Sequence, residues 1–136
     1  MNKIAVIYWS GTGNTETMAK SIAKGIKEAD LFYISDFDKA QIDQYDKIAF
    51  GCPSMGAEEL EESEFEPFFK SIEDKLSSKK IALFGSYGWG DGEWMRNWEE
   101  RVTNVGGILF NEGLIINGEP EDLTTCEEFG NLFSKM

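Results

Sequence analysis

Residues 4–15, Ile4-Ala5-Val6-Ile7-Tyr8-Trp9-Ser10-Gly11-Thr12-Gly13-Asn14-Thr15, run from an unbroken apolar stretch into a loop of hydroxyls and glycines. The apolar part suits a strand covered on both faces, as in a parallel sheet. The next segment is helix-like: residues 14–28 place Met18, Ile22 and Ile26 at spacings of four, the stripe with which a helix packs on a sheet. A buried strand, a glycine loop and an amphipathic crossover in this order predict an α/β layer fold.

The pattern recurs along the chain. Residues 47–51 (KIAFG) and 80–85 (KIALFG) are further short apolar runs, and residues 65–76 carry Phe65, Phe68, Phe69, Ile72 and Leu76 on one helical face. A weaker strand is expected at 31–34, a helix at 93–104, a broken strand across 108–116 and a last helix at 123–134. This alternation predicts about five parallel strands joined by right-handed crossovers. The chain of 136 residues has no internal repeat and fits one compact domain, residues 1–136.

Composition narrows the chemistry. With 13 basic against 25 acidic residues the net charge is -12, which repels nucleic acid and anionic membrane surfaces and favours basic protein partners. There is no histidine, and the only cysteines are Cys52 and Cys126. A four-thiolate iron–sulfur site, a histidine zinc site and Ser/His or Cys/His catalysis are thereby excluded, and no metal is expected. The N-terminal residues show no basic-then-apolar leader, and no apolar run is long enough to span a membrane. A cytoplasmic location, with both cysteines as thiols, is the expectation.

In an open α/β sheet the ligand lies beyond the carboxyl ends of the strands. Three loops are therefore informative: SGTGNT (10–15), CPSMGAEE (52–59) and SYGWGDG (86–92). The first offers unpaired helix-start N–H groups together with the side chains of Ser10, Thr12, Asn14 and Thr15, with Asn14 or a neighbouring Ser/Thr as the expected cap. It lacks the lysine of a triphosphate loop and the third glycine of a dinucleotide loop. A phosphomonoester held by neutral donors fits, although a plain capped helix start would account for the same residues.

The second loop brings the Ser54 hydroxyl, the polarizable thioether of Met55 and the conformational freedom of Gly56; an ordinary turn would contain the same residues. In the third, Trp89 stands between Gly88 and Gly90, a poor setting for core packing. An indole held out at a ligand-binding edge meets a flat partner. Trp94 and Trp98, four apart on a helix, read instead as core. A neutral phosphate cradle, a Met platform and a Trp platform at one sheet edge suit a planar aromatic ligand with a single phosphate, and FMN has that form.

The motifs YWSGTGNTETMA, GCPSMG, LEESEFEPFF and ALFGSYGWGDGEWM resemble those of the flavodoxins, in particular the short-chain members of anaerobic bacteria, and the likeness covers nearly the whole chain. The resemblance implies a flavodoxin-like three-layer sandwich with a five-stranded parallel sheet in order 2-1-3-4-5, non-covalent FMN and no substrate of its own. It implies an electron-transfer protein rather than an enzyme: a low-potential one-electron carrier cycling between semiquinone and hydroquinone, able to stand in for a ferredoxin. Transient docking of a monomer on the basic faces of redox partners goes with that role. An FMN-dependent quinone or nitro reductase, or a dedicated reductant of one enzyme, would share the scaffold.

Position by position, the resemblance implies that Ser10, Gly11, Thr12, Gly13, Asn14 and Thr15 surround the FMN phosphate, with Ser54 and Ser86 adding hydroxyls. Met55 would lie on the inner face of the ring and Trp89 on the outer face. Glu58 would accept from the ring N3–H, the N–H groups near Gly88 to Gly90 would meet its pyrimidine side, and the Gly56 carbonyl would accept from N5–H. Ala57 and Tyr87 complete the set. Ala57 stands where many relatives have Asp, and Pro53 where some have Ser. Asn117 and Gly118 align ambiguously with a ribityl contact and stay outside the expected site.

The run EELEESEFE (58–66) contributes six glutamates, and Asp91 and Glu93 lie beyond it. A carboxylate ~10 Å from the ring lowers a one-electron potential by about 15–20 mV, so the group as a whole predicts a shift on the order of 100 mV. The same run also reads as a solvated face leading into a helix.

Overall fold

The computed structural model describes residues 3–136. The expected alternation is present: β1 (Ile4–Tyr8), α1 (Asn14–Ile26), β2 (Ala29–Tyr33), β3 (Lys47–Gly51), α2 (Phe65–Ile72), β4 (Lys80–Tyr87), α3 (Glu93–Asn104), β5 (Ile108–Leu109), β6 (Leu114–Asn117) and α4 (Thr124–Ser134). All pairings are parallel, in the order β2-β1-β3-β4-β5, with β6 also on β4. Ile108 and Leu109 pair with the start of β4, and Leu114 to Asn117 with its end. The fifth sheet position is thus one strand in two pieces, as the broken pattern at 108–116 implies.

Strand periodicity assigns the apolar residues to two faces. Ala5, Ile7, Ile48, Phe50, Ile81 and Leu83 pack with Phe65, Phe69, Trp94 and Trp98 of α2 and α3. On the other face Ile4, Val6, Tyr8, Ala49, Ala82 and Phe84 meet Met18, Ala19 and Ile22 of α1 and Phe133 of α4. The central strands β1 and β3 are buried along their whole length, which is why a continuous apolar run marks them. Trp94 and Trp98 are core residues, as their spacing predicts. Burial pushes the Cys52 thiol up, and that of Cys126 to about 11, so both stay protonated and free.

Several boundaries differ from expectation. β2 begins at Ala29 and ends at Tyr33, and Ile34 opens a short 3-10 turn, Ile34–Asp36. Only one side of this edge strand is paired, and it exposes Asp30 and Leu31, so its apolar signal is weak. A second 3-10 segment, Lys39–Gln44, has no counterpart in the sequence pattern. α1 stops at Ile26, where Lys27 takes φ 78. α2 gives way to a 3-10 turn at Glu73–Lys75, and Leu76 is still fully buried.

Candidate functional site

The three glycine-bearing loops, 9–13, 52–64 and 88–92, come after β1, β3 and β4 at the carboxyl edge of the sheet. Hydrogen bonds continue the ladder past the strand ends and hold the loops together. Trp9 N–H donates to the Gly51 carbonyl at 3.0 Å, Cys52 N–H to Phe84 at 3.1 Å and Ser54 N–H to Ser86 at 2.9 Å. Thr15 Oγ1 shares a 2.9 Å hydrogen bond with the Ser86 hydroxyl and accepts the Ser86 N–H at 3.3 Å. Both side chains are buried, so these two of the expected phosphate residues fasten the first loop to β4.

The first loop is not capped as the sequence suggests. Gly13, at φ 100, is the N-cap of α1, no side chain caps the helix, and Asn14 is its first residue. Glycine takes this left-handed conformation at little cost. The Ser10 hydroxyl accepts the Gly13 N–H at 3.1 Å, and the Thr17 hydroxyl donates to the Gly13 carbonyl at 2.9 Å. Among the described residues, the N–H groups of Asn14, Thr15 and Glu16 meet no acceptor. They are the free donors at the positive end of a helix that an anion satisfies. Beneath the loop lies the Trp9 ring, 3.0 Å from where a Gly11 side chain would begin, its indole N–H donating to Glu64 at 3.2 Å.

A groove of about 220 Å³ runs between the loops. It is lined by Gly11, Thr12, Asn14, Pro53, Ser54, Met55, Ser86, Tyr87, Gly88 and Gly118, none of them charged. Eight of the sixteen expected site residues line it. Of the others, Ser10, Gly13 and Thr15 shape the first loop, while Gly56, Ala57, Glu58, Trp89 and Gly90 belong to the loops that border it. Gly118, outside the site expected from sequence, is in the lining, and its N–H donates to the Tyr87 carbonyl at 2.8 Å. The Asn117-Gly118 dipeptide aligns only ambiguously with a ribityl contact and after a strand reads equally as an ordinary turn signal, which left it outside the expected site.

Met55 and Trp89 are 39% and 63% exposed. They are large apolar side chains left uncovered beside the groove. The second loop is closed at its base by paired hydrogen bonds, Met55 N–H to the Glu59 carbonyl at 2.8 Å and Glu59 N–H to that of Met55 at 2.9 Å. Within it Gly56 takes φ 53 with open space around it. Glu58, also at positive φ, directs its carboxylate onto the N–H groups of Asp91 and Gly92.

The acidic run is less uniform than its composition implies. Glu61 is buried and accepts from Ser63, Glu64 and Phe65 at the start of α2. Glu66 pairs with Arg101 at 2.7 Å, and Asp91 with Arg96 at 3.1 Å. These two ion pairs cancel part of the negative field, so the expected displacement of potential shrinks accordingly. Glu59, Glu62 and Glu93 remain exposed.

A parallel α/β sheet whose loops join an uncapped helix start, neutral donors and two exposed flat-packing side chains defines a binder of a phosphorylated aromatic cofactor. The sequence profile described as Flavodoxin matches residues 6–130. The flavodoxin of Clostridium beijerinckii is 50% identical over 136 residues, covering 96% of this chain and 99% of its own. That of Megasphaera elsdenii is 43% identical, covering 97% and 98%. The solution structure of two-electron reduced Megasphaera elsdenii flavodoxin superposes with a TM-score of 0.90 at 41% identity, covering 98% of this chain and 99% of that one.

The chain belongs to the flavodoxin family. Flavodoxins bind FMN and are electron-transfer proteins, not enzymes. The residues present fit that cofactor: free helix-start amides and hydroxyls suit its phosphate, and the cation-free groove beside Met55 and Trp89 suits its ring.

Proposed function

We propose that residues 1–136 act as one FMN-binding domain that carries single electrons at low potential between redox proteins. The carrier works between semiquinone and hydroquinone and can stand in for a ferredoxin. Support comes first from the groove, which holds no Lys or Arg among its lining residues while Met55 and Trp89 stand exposed beside it. The bound FMN supplies the redox-active ring, and the chain sets its energetics. Added negative charge on a ring in this setting meets no cation and faces the exposed acids of the second loop, which makes the last electron the hardest to add.

Each residue set has its part. Ser10, Thr12, Asn14 and Ser54, with the amides that open α1, hold the phosphate; Gly11 and Gly13 let the loop close around it; Thr15 and Ser86 fix the cradle to β4. Met55 and Trp89 cover the ring, and the second loop with Gly56 and Ala57 places the backbone near its reactive edge. Tyr87, Gly88 and Gly90 shape the third loop. Basic faces of partner proteins dock transiently against the acidic rim, with the carrier as a monomer. No helix of the described residues is long and apolar enough to cross a membrane, and the two free thiols suit a cytoplasmic setting.

Stepwise reductive titration of the FMN-loaded protein, monitored by visible absorbance, tests this reading. The expected course is a long-lived blue semiquinone at intermediate potential, with hydroquinone formed only at strongly negative potential. Direct two-electron bleaching by NAD(P)H would overturn it.

A further inference from the structure

The middle of the first loop rests on one ring. The loop is tied at its ends, by Trp9 N–H to the Gly51 carbonyl at 3.0 Å and by Gly13 N–H to the Ser10 hydroxyl at 3.1 Å. Between them, among the described residues, Gly11 and Thr12 make no hydrogen bond. What Gly11 meets is the six-membered part of the Trp9 indole: a Cβ there would lie 3.0 Å from Cη2 and 3.3 Å from Cζ3. The other end of the same ring is held from α2. Trp9 Nε1–H donates to Glu64 Oε1 at 3.2 Å, and the ring packs against the core that α2 and α3 share with the sheet. Glu64 is the N-cap residue of α2, and its own N–H donates to the Glu61 carboxylate at 2.7 Å. A continuous set of contacts therefore runs from Glu61 through Glu64 and Trp9 to Gly11.

Neither Trp9 nor Glu64 lines the groove. We propose that both are positioning residues for the phosphate end of the cofactor: the Glu64 carboxylate fixes the indole, the indole sets the height of Gly11, and the loop keeps the shape that admits a phosphate before one arrives. Ordering the loop in advance removes part of the cost of binding. The gain falls on the phosphate alone, because the ring lies against other loops. This role rests on the proposed FMN binding, whereas the contacts from Glu64 to Gly11 do not.

The test compares FMN with riboflavin, which has the same ring and no phosphate, by equilibrium dialysis of the loaded protein. Glu64→Gln keeps an oxygen for the indole N–H and removes the charge, so the ratio of Glu64→Ala to Glu64→Gln isolates the hydrogen bond from any repulsion between Glu64 and the phosphate. FMN is expected to bind Glu64→Ala about three- to ten-fold more weakly than Glu64→Gln, while riboflavin binds the two alike within about two-fold. Trp9→Phe loses both the N–H and the ring edge beneath Gly11; it weakens FMN selectively too, and adding Glu64→Ala to it costs little more. Equal FMN affinity in the Ala and Gln variants, or a riboflavin loss as large as the FMN loss, overturns the positioning role. So does full additivity of Trp9→Phe and Glu64→Ala. Should Trp9→Phe not fold, the exposed Glu64 pair decides alone. Failure of the wild-type protein to bind FMN would overturn the flavin reading itself and this role with it, whereas a wild type that binds FMN with variants that match it overturns the role only.

Discussion

Glu61 shows what a single residue does that composition hides. Its carboxylate accepts the Ser63 N–H and hydroxyl at 2.8 and 2.6 Å, the Glu64 N–H at 2.7 Å and the Phe65 N–H at 2.8 Å. It caps α2 from outside the helix. Burial favours the neutral acid, yet the Ser63 hydroxyl and the three amides outweigh it, and the carboxyl titrates below its ordinary range. As pH falls, the unfolded chain takes up this proton first. The stabilisation is therefore complete above the unfolded pKa of about 4.3 and is lost as pH drops through the lower folded value. Glu61→Ala is expected to cost ~2 kcal/mol at pH 7 in urea denaturation, with the difference from wild type shrinking below about pH 4. A difference that is the same at pH 7 and pH 3 would show that the ionised carboxylate is not what caps the helix. The sequence does not separate Glu61 from exposed Glu62; the distinction arises because Leu60 is buried and the Glu61 N–H meets Cys52 Sγ at 3.4 Å, turning the chain inward.

Between elements, the contact of α1 with α4 depends on two glycines. A Cβ on Gly25 would collide with the Glu127 carbonyl, and one on Gly130 with the Ile22 carbonyl. Helix propensity alone predicts that Gly130→Ala stabilises by ~1 kcal/mol. The close backbone approach reverses the sign, and a loss of about 1–3 kcal/mol is expected as the helices separate. A raised melting temperature in Gly130→Ala would refute the close approach. Burial also decides which elements the sequence reveals. Strands β1, β3 and β4 announce themselves because both of their faces are buried, and α3 because its tryptophans repeat at helical spacing. Edge strand β2 and the two-residue β5 bury less and leave only the weak pattern at 31–34 and the broken one across 108–116, and the 3-10 turns have no period to detect. At the site, the three loops were legible from their glycines and aromatics. The Gly13 cap, the Thr15–Ser86 fastening and the place of Gly118 were not, since each depends on which distant backbone comes alongside.

Across the whole molecule, charge is sorted by edge. The crossover helices α1 and α2 carry Glu16 and Glu66 in their first turns and Lys24 and Lys70 in their last, and α3 opens with Glu93, while its last-turn Arg101 reaches across to pair with Glu66 and Glu73. This arrangement opposes each helix dipole. Lys47 and Lys80, which open β3 and β4, donate to the carbonyls of Ser134 and Met136 at the end of the chain. The net charge of -12 is thus superimposed on a gradient with its negative end at the cofactor loops. Net charge attracts a cationic partner from any side, whereas a gradient also turns the loop edge toward it. The two contributions separate experimentally. Glu62→Lys at the loop edge and Lys75→Glu at the far edge, both exposed, change net charge equally in opposite directions. If net charge alone governed encounter, one would slow and the other would speed electron transfer to a basic partner by similar factors. Oriented docking predicts that Glu62→Lys slows the second-order rate roughly three- to ten-fold at low salt, while Lys75→Glu changes it little. Stopped-flow rates should converge as salt approaches 1 M, where the screening length falls to about 3 Å. Equal and opposite effects of the two substitutions would remove the orienting role of the gradient.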